Sequence, residues 1–106
     1  MATINDLRTA VQNKSAKVLT IDIANKLKGR KIATLYFGFR GQDGFDEFIV
    51  GEITDDYRDH NGCMIQSLYT ADGRNTFIRA HAENCGAFTC SDSDRFVYFI
   101  EISNEN

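Results

Sequence analysis

Proline is absent from the chain, so no ring-locked φ and no missing amide hydrogen forces a break, and boundaries have to be read from glycine and short polar turns. No apolar run approaches the roughly 18 to 20 residues of a membrane span, and Met1–Lys14 is too polar for the core of a signal peptide. The expected location is therefore cytoplasmic, with no membrane partner. Cysteine is scarce and odd in number, Cys63, Cys85 and Cys90. That argues against a fully paired extracellular disulfide framework and agrees with a reducing compartment. Without a secretion signal, the triplet Asn13-Lys14-Ser15 is expected to stay unglycosylated.

Several chemistries fail for want of a residue. Gly38, Gly41 and Gly44 recur in one stretch, but the Gly-Lys-Ser/Thr ending and the strand-to-helix context of a phosphate loop are missing, and a wide hairpin turn accounts for the glycines. An EF-hand frame with Gly62 at its sixth position puts Tyr57 first and Leu68 twelfth, where carboxylates are required. No Cys-x2-Cys knuckle is present, and there is no internal repeat, linker or low-complexity segment.

What is present suits one domain, residues 1–106. Of the 106 residues, 42% are apolar and 25% charged, enough to bury a core without a metal or disulfide and far from the composition of a disordered chain. The net charge of −3 hides an asymmetry. Residues 1–31 hold seven basic side chains (Arg8, Lys14, Lys17, Lys26, Lys28, Arg30, Lys31) against Asp6 and Asp22, a net of +5; the remainder is at −8. Either the two segments form separate electrostatic faces, or they pack together and neutralise each other. Solvated charge is the commoner outcome of such runs.

Thr3 as N-cap, Asp6 three residues on, and Ile4, Leu7 and Val11 along one face predict a short helix over about residues 4 to 13. Lys17–Gly29 is ambiguous between the two periodicities. Thr20 as cap, Lys26 and Lys28 at the negative end of the dipole and Gly29 as a left-handed terminator favour a helix over about residues 20 to 28. Residues 1–29 are thus helical and basic, and residues 30–102 β-rich and acidic, with 103–106 a tail. Asp43-Gly44, Asn61-Gly62 and Asp72-Gly73 are hairpin-type dipeptides separating runs 31–39, 45–53, 63–70 and 75–81. Ala87–Cys90 is a further short run and Arg95–Ile102 a closing strand, with Ser91–Asp94 a turn in which Asp92 and Asp94 are capping residues. Runs 31–39 and 95–102 are apolar on both parities, so both faces of the sheet must be covered. The fold class this predicts is α+β: two short N-terminal helices on a strongly curved antiparallel sheet, or small SH3-like partly open barrel, of about five or six strands.

Metal and thiol chemistry has one place to sit. His60, Cys63, His81, Cys85 and Cys90 fall in one third of the chain, and tetrahedral zinc takes four such ligands if the 63–70 and 75–81 strands bring them together. Against this, Cys63 and Cys90 lie at strand ends, where buried cysteines serve as small apolar residues. No cofactor is expected, zinc being the one candidate. A nucleophilic Cys85 with His81 as base is the corresponding enzymatic reading, but it lacks an orienting partner in sequence.

The function expected is that of a non-enzymatic binding module acting through a protein partner. Asp43, Asp46, Glu47, Glu52, Asp55, Asp56 and Asp59 form an acidic stretch suited to a basic partner, in its sharpest form a nucleic-acid-binding protein whose phosphate sites the carboxylates occupy, as in a phage- or plasmid-type inhibitor. Two alternatives stand beside it. One is a barrel binding a small anionic ligand or nucleotide, with Arg74 and Arg79 as anion contacts. The other is nucleic-acid binding through Lys26, Lys28, Arg30 and Lys31 beside Tyr36, Phe37 and Phe39.

Overall fold

The computed structural model describes residues 4–36, 44–81, 86–90 and 96–102, and the side chains of these apart from Ile4, His81 and Cys90. Thr3, Phe37, Phe39, Asp43, Cys85, Asp92, Asp94 and the tail lie outside the described residues. The chain forms α1 (Ile4–Gln12), β1 (Lys17–Val18), α2 (Ile21–Lys26), β2 (Lys31–Tyr36), β3 (Gly44–Arg58), β4 (Met64–Thr70), β5 (Asn75–His81), β6 (Phe88–Cys90) and β7 (Val97–Glu101). All seven strands join one antiparallel sheet in the order β1-β7-β2-β3-β4-β5-β6.

The two helices appear where capping and periodicity put them. Thr20 has extended backbone (φ −121°, ψ 166°) and its hydroxyl accepts the Ile23 amide, a working N-cap. The helix is shorter than expected: it closes at Leu27, and Gly29 supplies the positive φ of 81° two residues later. The ambiguous stretch before it is resolved as both states, since Lys17 and Val18 pair with Phe99 and Tyr98 before the helix starts.

β2 and β3 form the expected hairpin, with Lys31 opposite Ile49 and Tyr36 opposite Gly44. Gly44 is a strand residue rather than a positive-φ turn residue; its missing side chain makes room for the Tyr36 ring, which a Cβ there would overlap. β3 runs on to Arg58, so Asp55 and Asp56 lie in a strand and not in the solvated loop the acidic run suggested. The turns at Gly62 (φ 82°) and Gly73 (φ 91°) are left-handed, as the Asn-Gly and Asp-Gly dipeptides require.

The sheet is not closed or strongly curled, which corrects the expected barrel and raises the strand number to seven. The two apolar parities of β2 have another cause. Ile32 joins the main core with Leu19, Ala24, Leu27, Phe48, Val50, Leu68, Ile78, Phe88, Val97 and Phe99, whereas Ala33 and Leu35 pack on Leu7, Val11 and Ile100 beneath α1. A helix on the second face removes the need for curling. Each end strand has a ladder to one neighbour, β1 to β7 and β6 to β5, but among the described residues the two ends of the sheet approach each other through the isolated bridges Thr20 to Ala87 and Thr89 to Phe96, and not through the ladder that closure requires.

β3 changes partners along its length. Its first half pairs with β2, its second with β4, and the exchange occurs at a bulge after Val50. Val50 donates to Arg30 O and accepts from Gly29 N, both at 2.9 Å, and a Cβ on Gly51 would overlap the backbone of Thr70 and Ala71. Backbone cannot swing aside as the Tyr36 ring can. Gly51→Ala is therefore expected to lower stability by about 1 to 3 kcal/mol or more, and more than Gly44→Ala, when the two are compared by denaturant unfolding.

Candidate functional site

Cross-strand partners share a face, so the register assembles a row of polar residues across four strands. Thr54 lies opposite Ser67, Ser67 opposite Arg79, and Arg79 opposite Thr89. The alternate residues Ile53, Leu68, Ile78 and Phe88 point to the main core, which puts this row on the other face. There α1 covers only the β2 and β7 portion, through Ala33, Leu35 and Ile100; among the described residues no helix lies over the β3–β6 portion.

Asp56 organises the row. One of its carboxylate oxygens accepts the Ser67 hydroxyl at 2.8 Å and stands 3.5 Å from Arg79 Nε, while the Arg79 guanidinium lies 5.6 Å from the centre of the Tyr57 ring. Ser67 is fully buried, and Ile65, the partner of Tyr57, is buried as well. On the adjoining parity Asp55 accepts from Gln66 Nε2 at 2.8 Å. Thr54–Arg58 is a run of exposed residues held rigid by pairing to β4.

The remaining predicted acids are each engaged elsewhere. Asp46 takes both contacts of Arg74 Nη2, at 3.2 and 3.0 Å, and also accepts the Glu47 amide. Glu47 pairs with Lys31 and Glu52 with Lys28, each at 3.1 Å. Asp59 holds the β3–β4 turn: one carboxylate oxygen accepts the amides of Asn61 and Cys63. Asp43 is outside the described residues. The described acids thus divide into the exposed end of β3, where Asp55 bonds Gln66 and Asp56 pairs with Arg79, a turn-forming residue, Asp59, and Asp46, Glu47 and Glu52, which pair with Arg74, Lys31 and Lys28.

The same pairs account for the charge asymmetry. Lys28, Arg30 and Lys31 face Glu52, Glu101 and Glu47, so the two segments do neutralise each other along this seam. Exposed pairs of this kind are worth at most about 1 kcal/mol each; their effect here is to occupy the cations. Arg74 and Arg79, the anion contacts of the ligand-binding reading, are likewise occupied, by Asp46 and Asp56.

The Cys/His cluster is reached only in part. β4 and β5 pair, with Ile65 opposite His81, so the turn carrying His60 and Cys63 and the end of β5 lie at one end of the sheet; Cys90 is opposite Ile78 in the neighbouring ladder. Cys63 is half-buried. The side chains of His81 and Cys90, and all of Cys85, are outside the described set, and among the described residues no three His, Cys, Asp or Glu side chains gather as a metal site. No helix of the described residues is long and apolar enough to cross a membrane.

No protein-family model matches this chain, and neither does any curated protein or solved structure. The site therefore stands on its own geometry.

Sequence reasoning missed Ser67 and Tyr57. A serine inside an apolar strand with an aromatic beside two acids is too common a pattern to single out; only the register reveals that Ser67, Arg79 and Asp56 meet.

One carboxyl has a distinct titration. The Thr70 hydroxyl donates to Asp72, and this bond is the chief cause that holds the Asp72 carboxyl below its ordinary value; partial desolvation works against it, and the Arg74 amide and charge help it. A depressed carboxyl favours the folded state at pH above the unfolded value, and that contribution fades as pH falls through the folded one. Thr70→Val is expected to move the Asp72 midpoint upward toward the ordinary carboxylate range in an NMR titration; an unmoved midpoint would assign the shift to the turn backbone instead.

Proposed function

We propose that this chain is a non-enzymatic binding module that acts through a protein partner, with the end of β3 and the β3–β6 face opposite the main core as its contact surface. The observation that carries this reading is the exposed run Thr54–Arg58, fixed by its pairing to β4 and carrying Asp55 and Asp56 beside Tyr57 and Arg79. A rigid strand holds its side chains without an ordering cost at binding. Tyr and Arg at the centre of a patch, with carboxylates around them, match the residue types that dominate protein interfaces and steer basic partners.

The sharper form names the partner as a nucleic-acid-binding protein, whose phosphate-binding lysines and arginines would meet Asp55, Asp56 and Glu52. The ion pairs at Lys28, Arg30 and Lys31 leave the alternative, nucleic-acid binding through the basic segment, with fewer uncommitted cations.

The test is capture on immobilised protein with identification of what is retained, comparing the natural chain with Glu52→Gln/Asp55→Asn/Asp56→Asn. The amide side chains keep the acceptor oxygens used by Gln66 and Ser67, so the fold is spared. Retention of a basic protein that weakens with added salt, and that falls by about tenfold or more in the triple variant, is the expected result; equal retention by both proteins contradicts the proposal.

A further inference from the structure

A cavity of about 500 Å³ opens between the β1–α2 segment and β7, on a part of the molecule unrelated to the acidic end of β3. Its apolar lining includes Ile23, Leu27 and Phe99, and two lysines, Lys17 and Lys26, stand on it together with Glu101. The convergence follows from the fold. Lys17 is the cross-strand partner of Phe99 and so shares its face, while Ile23, Lys26 and Leu27 are neighbours on α2 by the helical spacing of three and four residues.

The charge balance at this cavity differs from that of the seam nearby. Lys28, Arg30 and Lys31 each have an acidic partner, and Glu101, the one acid on the cavity, is the partner of Arg30. Lys17 and Lys26 take part in no ion pair among the described residues. Asp22, one turn before Lys26 on α2, does not reach it as a pair. Two ammonium groups from different elements therefore stand on one apolar cavity whose acid among the described lining residues, Glu101, is engaged by Arg30, an arrangement that favours a bound anion. The volume falls in the range of small-molecule sites, which combine an apolar wall with a few placed polar groups.

We infer that this cavity is a binding site for a small amphipathic organic anion, a carboxylate or sulfonate whose apolar body lies on Ile23, Leu27 and Phe99 and whose charged end meets Lys17 and Lys26. Burial of the apolar body supplies most of the affinity and the lysines supply the sign preference. A cation of the same shape meets two like charges and is rejected.

The experiment titrates octanoate, and in a second arm 2-naphthoate, into the full chain while following backbone amide resonances, with octylammonium as the charge-inverted control. Saturable shifts concentrated at Ile23, Leu27, Phe99 and Ile100 are expected for the anions, with the stronger arm distinguishing an alkyl from an aryl ligand. Lys17→Gln/Lys26→Gln is expected to weaken binding by about tenfold, with its spectrum elsewhere unchanged because both side chains are exposed; Lys26→Gln alone serves as a second variant and is expected to lose part of that factor. No saturable shift with either anion, equal binding of octylammonium, or unchanged affinity in the lysine variants would each overturn the inference.

Discussion

The handover of β3 from one partner strand to another is the constraint on which the rest of the molecule depends. At Val50 the strand exchanges two backbone hydrogen bonds with Gly29 and Arg30, just beyond the end of α2. One residue later Gly51 lets the Thr70 backbone pass so closely that no side chain fits. These contacts tie the end of α2, the centre of β3 and the start of the β4–β5 turn into one junction, where Ala71 also donates to Ile49 O. Because the junction sets the register on both sides, it decides that Ile53 and Leu68 face the main core and that Thr54 and Ser67 lie on the opposite face. A single-residue slip would exchange the two sets.

The junction also organises charge. By bringing the end of α2 and the start of β2 against β3, it sets Lys28 opposite Glu52 and Lys31 opposite Glu47. What looks in the chain like a basic segment and an acidic segment becomes a compensated seam in the fold. Outside that seam stand, among other described groups, the carboxylates at the far end of β3, where Asp56 meets Arg79, and the two lysines on the cavity beside β7. The two functional proposals concern opposite signs of charge at different places.

Much of this was legible in the chain where local chemistry dictates local structure. Thr20 caps α2 because a hydroxyl preceding a helix has an orphan amide to accept, and β4 and β5 begin and end within a residue of expectation because Gly62 and Gly73 supply left-handed turns. Non-local facts were not legible. Gly51 looks like any glycine in a strand until Thr70 is found against it, and the double apolar parity of β2 is compatible with a barrel until Leu7 is seen on its second face. For the site, the acidic residues could be named in advance, but not which would be spent on Lys28, Lys31 and Arg74 or on the turn at Asp59. That assignment depends on register, which period and propensity do not encode.

The most direct measurement of the central claim is native-state amide hydrogen exchange at Gly29, Val50 and Ala71. If β3 is pinned where it changes partners, these three amides exchange only on global unfolding, with one common free energy. Exchange at the rate of an open loop, while the amides of β4 and β5 remain protected, would contradict the junction and with it the register on which both sites are built.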